Sequence, residues 1–229
     1  MPVEYKNIVP WGRSFREYVD MFRLGDEDLK KSILGCGDGP ASFNYEMTRQ
    51  GRSVVSVDPI YNFDRELIEK RIDETYVEVL EQTRENQDKF VWDNIPSVEE
   101  LGKIRMSSMR LFLDDFEAGK QQGRYVAGEL PELPFKNDSF DLALVSHLLF
   151  LYSEQLSLDF HLKAVDELLR VAGEVRIFPL LDLNSRRSLH VDEVIDHVAE
   201  KGIFVREEKV KYEFQKGGNR MLRIVRDNK

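Results

Sequence analysis

Three glycines spaced two residues apart are the part of this sequence best suited to binding a ligand. Gly35, Gly37 and Gly39 follow a short apolar run at residues 32–34, and a helical pattern comes directly after them. Glycine lets the backbone turn sharply and lets a ligand lie against bare main chain. The amide groups at the start of the following helix then point towards that ligand.

A carboxylate follows at the distance expected for a nucleoside site. Asp58 ends a second strand-like run at residues 53–57. It comes about twenty residues after the glycines, where dinucleotide folds have the acid that binds the ribose hydroxyls. The two oxygens of a carboxylate suit that task. The alternative role of Asp58 is to cap a helix that begins at Pro59. Together the glycine loop and the acid predict a nucleoside site.

The glycine spacing distinguishes between two kinds of cofactor. A dinucleotide site requires G-x-G-x-x-G. This chain has G-x-G-x-G followed by Pro40, which has no N–H to donate to a pyrophosphate, and this argues against an NAD-type oxidoreductase. The spacing resembles the first motif of class I S-adenosylmethionine (SAM) methyltransferases. Residues 128–135 (GELPELPF) and 139–141 (SFD) resemble that family's G-D-x-x-x-L-P-F and S-F-D segments, so the resemblance covers residues 31–176.

The resemblance implies SAM as the cofactor and assigns residues to its site. Asp58 would accept hydrogen bonds from the ribose hydroxyls, and Glu129 would accept one from the adenine amino group. The other implied contacts come from Gly35, Cys36 and Gly37 at the methionine part, from Pro59 and Ile60 beside the adenine, and from the backbone amide of Leu130.

The chain departs from the family pattern at two positions. Glu129 is longer than the family's aspartate, and Ile33 stands where the family usually has an acid near the cofactor's ammonium group. Asp38 is the acid that could replace it. These departures keep open the alternative of a non-catalytic module that binds SAM or a partner protein.

Ser146 and His147 follow the most apolar strand pattern of the chain, at residues 140–145. In open α/β sheets ligands bind at the carboxyl ends of the strands, so both side chains are expected at the site. His147 is the predicted catalytic residue, because an imidazole can remove a proton from an acceptor hydroxyl or amine. The alternative is that Ser146 and His147 only line the cofactor pocket.

Composition limits the function classes. The chain has 229 residues, enough for one domain over residues 1–229, and a formal charge of −9, which disfavours nucleic acid as the substrate. A single cysteine excludes an internal disulfide and a cysteine-based zinc cage, and no metal cluster is visible. No apolar run is long enough for a bilayer, and the N-terminus has no secretory signal pattern. We therefore expect a cytoplasmic protein with a small-molecule substrate, and a homodimer remains open.

The expected fold is α/β, a seven-stranded, mostly parallel, doubly wound sheet that ends in an antiparallel C-terminal hairpin. The hairpin strands are predicted at residues 203–214 and 221–225, with the turn at 216–219. Residues 63–120 have the spacing of two long helices inserted before the third strand, either as a lid or dimer contact or as structural decoration. Ser14 and Glu17 have the spacing of a capping box, as do Ser97 and Glu100, and Ser157 is predicted to cap a later helix. The helix that follows Ser14 either covers the cofactor pocket, as in the family, or only packs on the sheet.

Overall fold

A computed structural model describes residues 9–226, which form one seven-stranded sheet flanked by helices on both faces. The strand order is β3-β2-β1-β4-β5-β7-β6. In chain order the strands are β1 (Ile33–Cys36), β2 (Val54–Val57), β3 (Tyr125–Val126), β4 (Phe140–Ser146), β5 (Ala172–Phe178), β6 (Phe204–Lys209) and β7 (Arg220–Val225). Strands β1 to β5 pair in parallel, whereas β7 runs antiparallel to both of its neighbours.

Six α-helices accompany the sheet in the described residues. They are α1 (Phe15–Phe22), α2 (Phe43–Arg49), α3 (Arg65–Glu85), α4 (Val98–Gln121), α5 (Leu158–Val171) and α6 (Val191–Glu200). One apolar cluster packs α5 and α6 on one face of the sheet, and a second packs α1 and α2 on the other. Strands β1 and β4 lie between these layers, which is why β1 and residues 142–145 of β4 have no charged side chains and are buried.

Helices α3 and α4 stand between β2 and β3, within the predicted insertion at residues 63–120. They pack on each other around a third apolar cluster that includes Ile72, Phe112 and Tyr125. An ion pair joins α4 to the start of β3, with 2.6 Å between Asp115 Oδ2 and Arg124 Nη1. The insertion is therefore fastened to the sheet at its C-terminal end.

The caps predicted from sequence form at the helix starts. Ser14 and Glu17 make a reciprocal capping box at α1, and the side chain of Ser97 accepts from the Glu100 amide at α4. Ser157 caps α5 in the same way, by accepting from Phe160. These local hydrogen bonds explain why the starts of the three helices could be located from sequence.

The predicted extent of the first hairpin strand is wrong, whereas a tight turn does form at the glycine pair. In the turn, the Gly218 amide donates to the Gln215 carbonyl at 2.8 Å. Strand β6 ends at Lys209, and residues 211–214 leave the sheet. The cause is aromatic packing, because Phe214 stacks on Phe90 with 4.8 Å between ring centroids and its carbonyl accepts from the Val91 amide at 2.7 Å. Residues 210–219 thus cover the segment that joins α3 to α4.

The strand order and the antiparallel β7 confirm the predicted fold class. They also confirm, at the level of the fold, the resemblance to class I SAM-dependent methyltransferases. No helix within residues 9–226 combines the length and the apolar character needed to cross a membrane.

Candidate functional site

The glycine loop makes a sharp turn that larger residues could not follow. Gly37 and Gly39 have φ angles of +69° and +52°, in the left-handed region that favours glycine. A Cβ atom on Gly37 would lie 2.5 Å from Leu148 Cδ2, and one on Gly35 would lie 1.9 Å from Asp38 Oδ2. The Gly37 amide donates to the Val57 carbonyl at 2.9 Å, which ties the loop to β2.

A cavity of about 280 Å³ opens beside this loop at the carboxyl ends of β1, β2 and β4. Its volume is close to the lower end of the range for ligand pockets, about 300 Å³. All the predicted site residues except Gly35 line it, namely Cys36, Gly37, Asp58, Pro59, Ile60, Glu129, Leu130, Ser146 and His147. Gly35 lies behind the cavity within β1, where it makes room for the side chain of Asp38.

Asp58 caps a short turn and also faces the cavity. Its Oδ1 accepts from the Ile60 amide and its Oδ2 accepts from the Gly39 amide, both at 2.9 Å. The cap proposed as its alternative role therefore exists, and each oxygen keeps a further lone pair for a ligand. Burial, with a smaller contribution from the nearby charge of Glu129, raises the pKa of Asp58 to about 6 although the two amides lower it.

Asp38 is a second buried acid at the cavity. Its oxygens accept from the Tyr18 hydroxyl and from Ser56 Oγ, each at 2.6 Å, and burial raises its pKa to about 6. Ile33 lies fully buried in the core that packs α1 and α2. Of these two positions, only Asp38 lines the cavity and could face the ammonium group of a bound cofactor.

His147 has an unusual backbone conformation directly after β4. Its φ is 53°, and its amide donates to the Phe178 carbonyl at 2.7 Å, which turns the chain towards the cavity. Nδ1 lies 2.9 Å from Ser146 Oγ. Burial and the positive charges of Arg13 and Arg105 hold the pKa of His147 well below its ordinary value. The ring is thus neutral at physiological pH, and it is a weaker base than the near-neutral imidazole expected from sequence.

A second cavity, of about 120 Å³, adjoins the first. Trp11, Arg13 and His147 line both cavities. The walls of the second one are mainly aromatic and aliphatic, and they include Phe90, Phe178, Tyr212, Phe214, Tyr152, Leu151, Leu183, and Val79 and Leu101 from the inserted helices. The insertion therefore forms part of the wall of the second cavity.

Sequence reasoning missed the contribution of residues 11–13 to both cavities. This segment lies against the glycine loop so closely that a Cβ on Gly12 would come within 2.0 Å of the Pro40 carbonyl oxygen. The Arg13 carbonyl accepts from the Ser42 amide at 3.0 Å. The available signal was the capping box at Ser14, because the helix that it opens does border the cavity through Tyr18.

The other histidines of the chain stay out of both cavities. His161 is a fully buried residue of α5, with Nδ1 2.8 Å from the Ser157 carbonyl oxygen, and its ring centroid is 4.6 Å from that of His190. His197 contacts Asp166 at the surface. Within residues 9–226, no group of three or more His, Cys, Asp or Glu side chains is placed to hold a metal ion.

Comparison with known proteins identifies a close relative. The protein MJ0045 of Methanocaldococcus jannaschii, described as uncharacterized, is 36% identical over 223 residues, covering 96% of this chain and 97% of the relative. The chain belongs to the family of MJ0045. No protein-family model matches it.

Two solved structures are similar to this chain at low sequence identity. The PH0226 protein from Pyrococcus horikoshii is 13% identical, with 93% of this chain and 91% of that chain covered and a TM-score of 0.48. A TehB-like SAM-dependent methyltransferase from Corynebacterium glutamicum is 14% identical, with 87% and 81% covered and a TM-score of 0.46. The fold assignment itself rests on the strand order of the sheet.

Proposed function

We propose that this member of the MJ0045 family is a SAM-dependent methyltransferase that acts on a small or medium-sized molecule. The observation that carries the proposal is one cavity bordered by the glycine loop, Asp58 and Glu129, which meets a second, apolar cavity at His147. The first cavity offers the contacts that a nucleoside with an amino-acid tail requires, and the second offers room for an acceptor.

The residues present fit this cofactor. The bare main chain at Gly37 lets a ligand approach where a side chain would collide, and Asp58 has free lone pairs beside Ile60 and Leu130. SAM supplies an already activated methyl group when it is bound, so the protein mainly has to place the reactants and exclude water. We assign the ribose to Asp58 and the adenine edge to Glu129.

His147 is the residue we assign to proton removal from the acceptor. It lines both cavities, and its neutral ring can accept a proton at whichever nitrogen does not carry hydrogen. Ser146 Oγ, at 2.9 Å from Nδ1, holds the ring in place. General base catalysis of this kind contributes about 10²- to 10⁴-fold in rate. Because the ring is neutral before the reaction, no deprotonation step has to precede it.

A non-catalytic SAM-binding or partner-binding module is the second candidate. The observation in its favour is that Ile33, in place of the family's acid, is buried in the core, while both oxygens of Asp38 already accept hydrogen bonds from Tyr18 and Ser56. Such a module would bind SAM or a partner protein but would transfer no methyl group to any acceptor.

Calorimetric titration with SAM, its demethylated product S-adenosylhomocysteine and NAD tests the proposal. We expect both sulfur nucleosides to bind and NAD not to bind. Asp58→Ala should weaken their binding, whereas the matched control Asp141→Ala should not, because Asp141 contacts Ser32 at the opposite edge of the sheet. If neither sulfur nucleoside binds at millimolar concentration, the chain is not a methyltransferase.

A further inference from the structure

Arg13 carries a positive charge that forms no direct ion pair with an acid in the described residues. Its Nη1 donates to the Trp11 carbonyl at 2.9 Å, and its Nε is buried without a hydrogen-bond partner. It forms no ion pair with a carboxylate of residues 9–226. Arg13 as a whole is only partly buried, and it lines both cavities. A cation placed there without an ion-pair partner is suited to bind an anion that is supplied from outside the chain.

Glu17, the acid whose charge acts on Arg13, already forms an ion pair with another arginine. Glu17 Oε2 lies 2.6 Å from Nη1 of the fully buried Arg105, and it also accepts from the Ser14 amide at 2.9 Å. Glu17 Oε1 accepts from the Tyr212 hydroxyl at 3.1 Å. The two arginines thus share one carboxylate. Burial and the repulsion from Arg105 lower the pKa of Arg13 below its ordinary value, in keeping with a missing counter-ion.

The second cavity has the size and the walls for a flat apolar group. Its volume is about 120 Å³, and a protein cavity of about 150 Å³ binds benzene. The rings of Phe90 and Phe214 stack at 4.8 Å on one side, and Phe178 and Tyr212 meet edge to face at 5.7 Å. Aromatic walls of this kind favour a planar ring.

We infer that the methyl acceptor is a small, single-ring anion, with its ring in the second cavity and its carboxylate on Arg13. This inference rests on the proposed function and names the substrate class. Arg13 lines both cavities beside His147, so a carboxylate bound there would hold the acceptor at the junction, next to the group that removes its proton. A guanidinium can bind a carboxylate through two parallel hydrogen bonds, which fixes orientation as well as position.

A pair of probes equal in shape and different in charge tests the inference. Benzoate and benzamide are titrated into the protein with and without saturating S-adenosylhomocysteine. We expect benzoate to bind at least about tenfold tighter than benzamide, the size of effect expected for a hydrogen bond to a charged group. Arg13→Gln should abolish this preference. The matched control Arg16→Gln, an exposed arginine three residues further on, should retain it.

The outcomes separate this inference from the proposed function. Equal affinity for the two probes, or no binding of either, overturns the acceptor class even if S-adenosylhomocysteine binds. A loss of S-adenosylhomocysteine affinity in Arg13→Gln with an unchanged probe preference also overturns it, because Arg13 would then serve the cofactor's own carboxylate. Failure of S-adenosylhomocysteine to bind refutes the proposed function, while the titrations without it still measure the preference for the anion.

Discussion

Replacing Asp38 with asparagine measures how much the charge that folding buries beside the glycine loop lowers the free energy of unfolding. The side chain is 7% exposed, and its two oxygens accept from Tyr18 and Ser56. Asparagine has nearly the same shape, and both hydroxyl groups can accept as well as donate. The substitution therefore removes the charge and can retain both hydrogen bonds.

The size of the expected change in the free energy of unfolding follows from the pKa shift of Asp38. Burial raises the pKa of Asp38 from 3.8 to about 6, so between these pH values the folded state holds a proton that the unfolded state has lost. The free energy of unfolding then falls as the pH rises through this window. A shift of two pKa units corresponds to about 3 kcal/mol. We expect Asp38→Asn to be more stable than the unmodified protein by about 3 kcal/mol at neutral pH, and this advantage to disappear below about pH 4.

Urea denaturation of both proteins over this pH range measures the effect. Asp28→Asn serves as the control with the opposite sign. Hydrogen bonds from Lys31 and Arg176 lower the pKa of Asp28 from 3.8 to about 2 despite its partial burial. This variant should therefore lose stability relative to the unmodified protein as the pH rises from about 2 to about 4, and the difference should stay constant at higher pH. The reasoning is refuted if the difference between Asp38→Asn and the unmodified protein does not change with pH, or if it changes in the other direction.

Three further predictions concern the cofactor and acceptor sites. Asp58→Ala should weaken S-adenosylhomocysteine binding about 10- to 150-fold in calorimetric titration. It should also lower the midpoint of urea denaturation, because the Gly39 and Ile60 amides lose their hydrogen-bond acceptor. An unchanged affinity would leave Asp58 only its capping role. Once an acceptor is known, His147→Ala should lower kcat without changing the affinity for SAM. An unchanged kcat at saturating SAM would mean that His147 only lines the cavity. Hydrogen exchange should be faster in α3 than in the sheet and should slow when S-adenosylhomocysteine binds, whereas equal protection in both states would make the insertion rigid decoration.

The sheet and its ligand edge could be predicted because their signals are local. The glycine spacing, the apolar run before Ser146 and the acid at Asp58 each follow from neighbouring residues, and parallel strands bring their carboxyl ends together. The caps at Ser14 and Ser157 are local in the same way. For this reason a motif of a few residues sufficed to place most of the first cavity.

The second cavity could not be predicted, because it depends on contacts between distant segments. Phe90 and Phe214 are far apart in sequence, and their stacking draws residues 211–214 out of the predicted strand. That Arg13 has no ion-pair partner can be recognised only from the structure, which shows that Glu17 forms its ion pair with Arg105. The low basicity of His147 likewise results from burial and from two arginines on other elements. Patterns of composition and spacing do not reveal such relations.

A crystal structure of the complex with S-adenosylhomocysteine tests the central claim most directly. We expect the adenine between Ile60 and Leu130, both ribose hydroxyls within hydrogen-bonding distance of Asp58, and the sulfur facing His147 and the second cavity. A nucleoside bound elsewhere on the protein, or a sulfur atom turned away from the second cavity, would contradict the account.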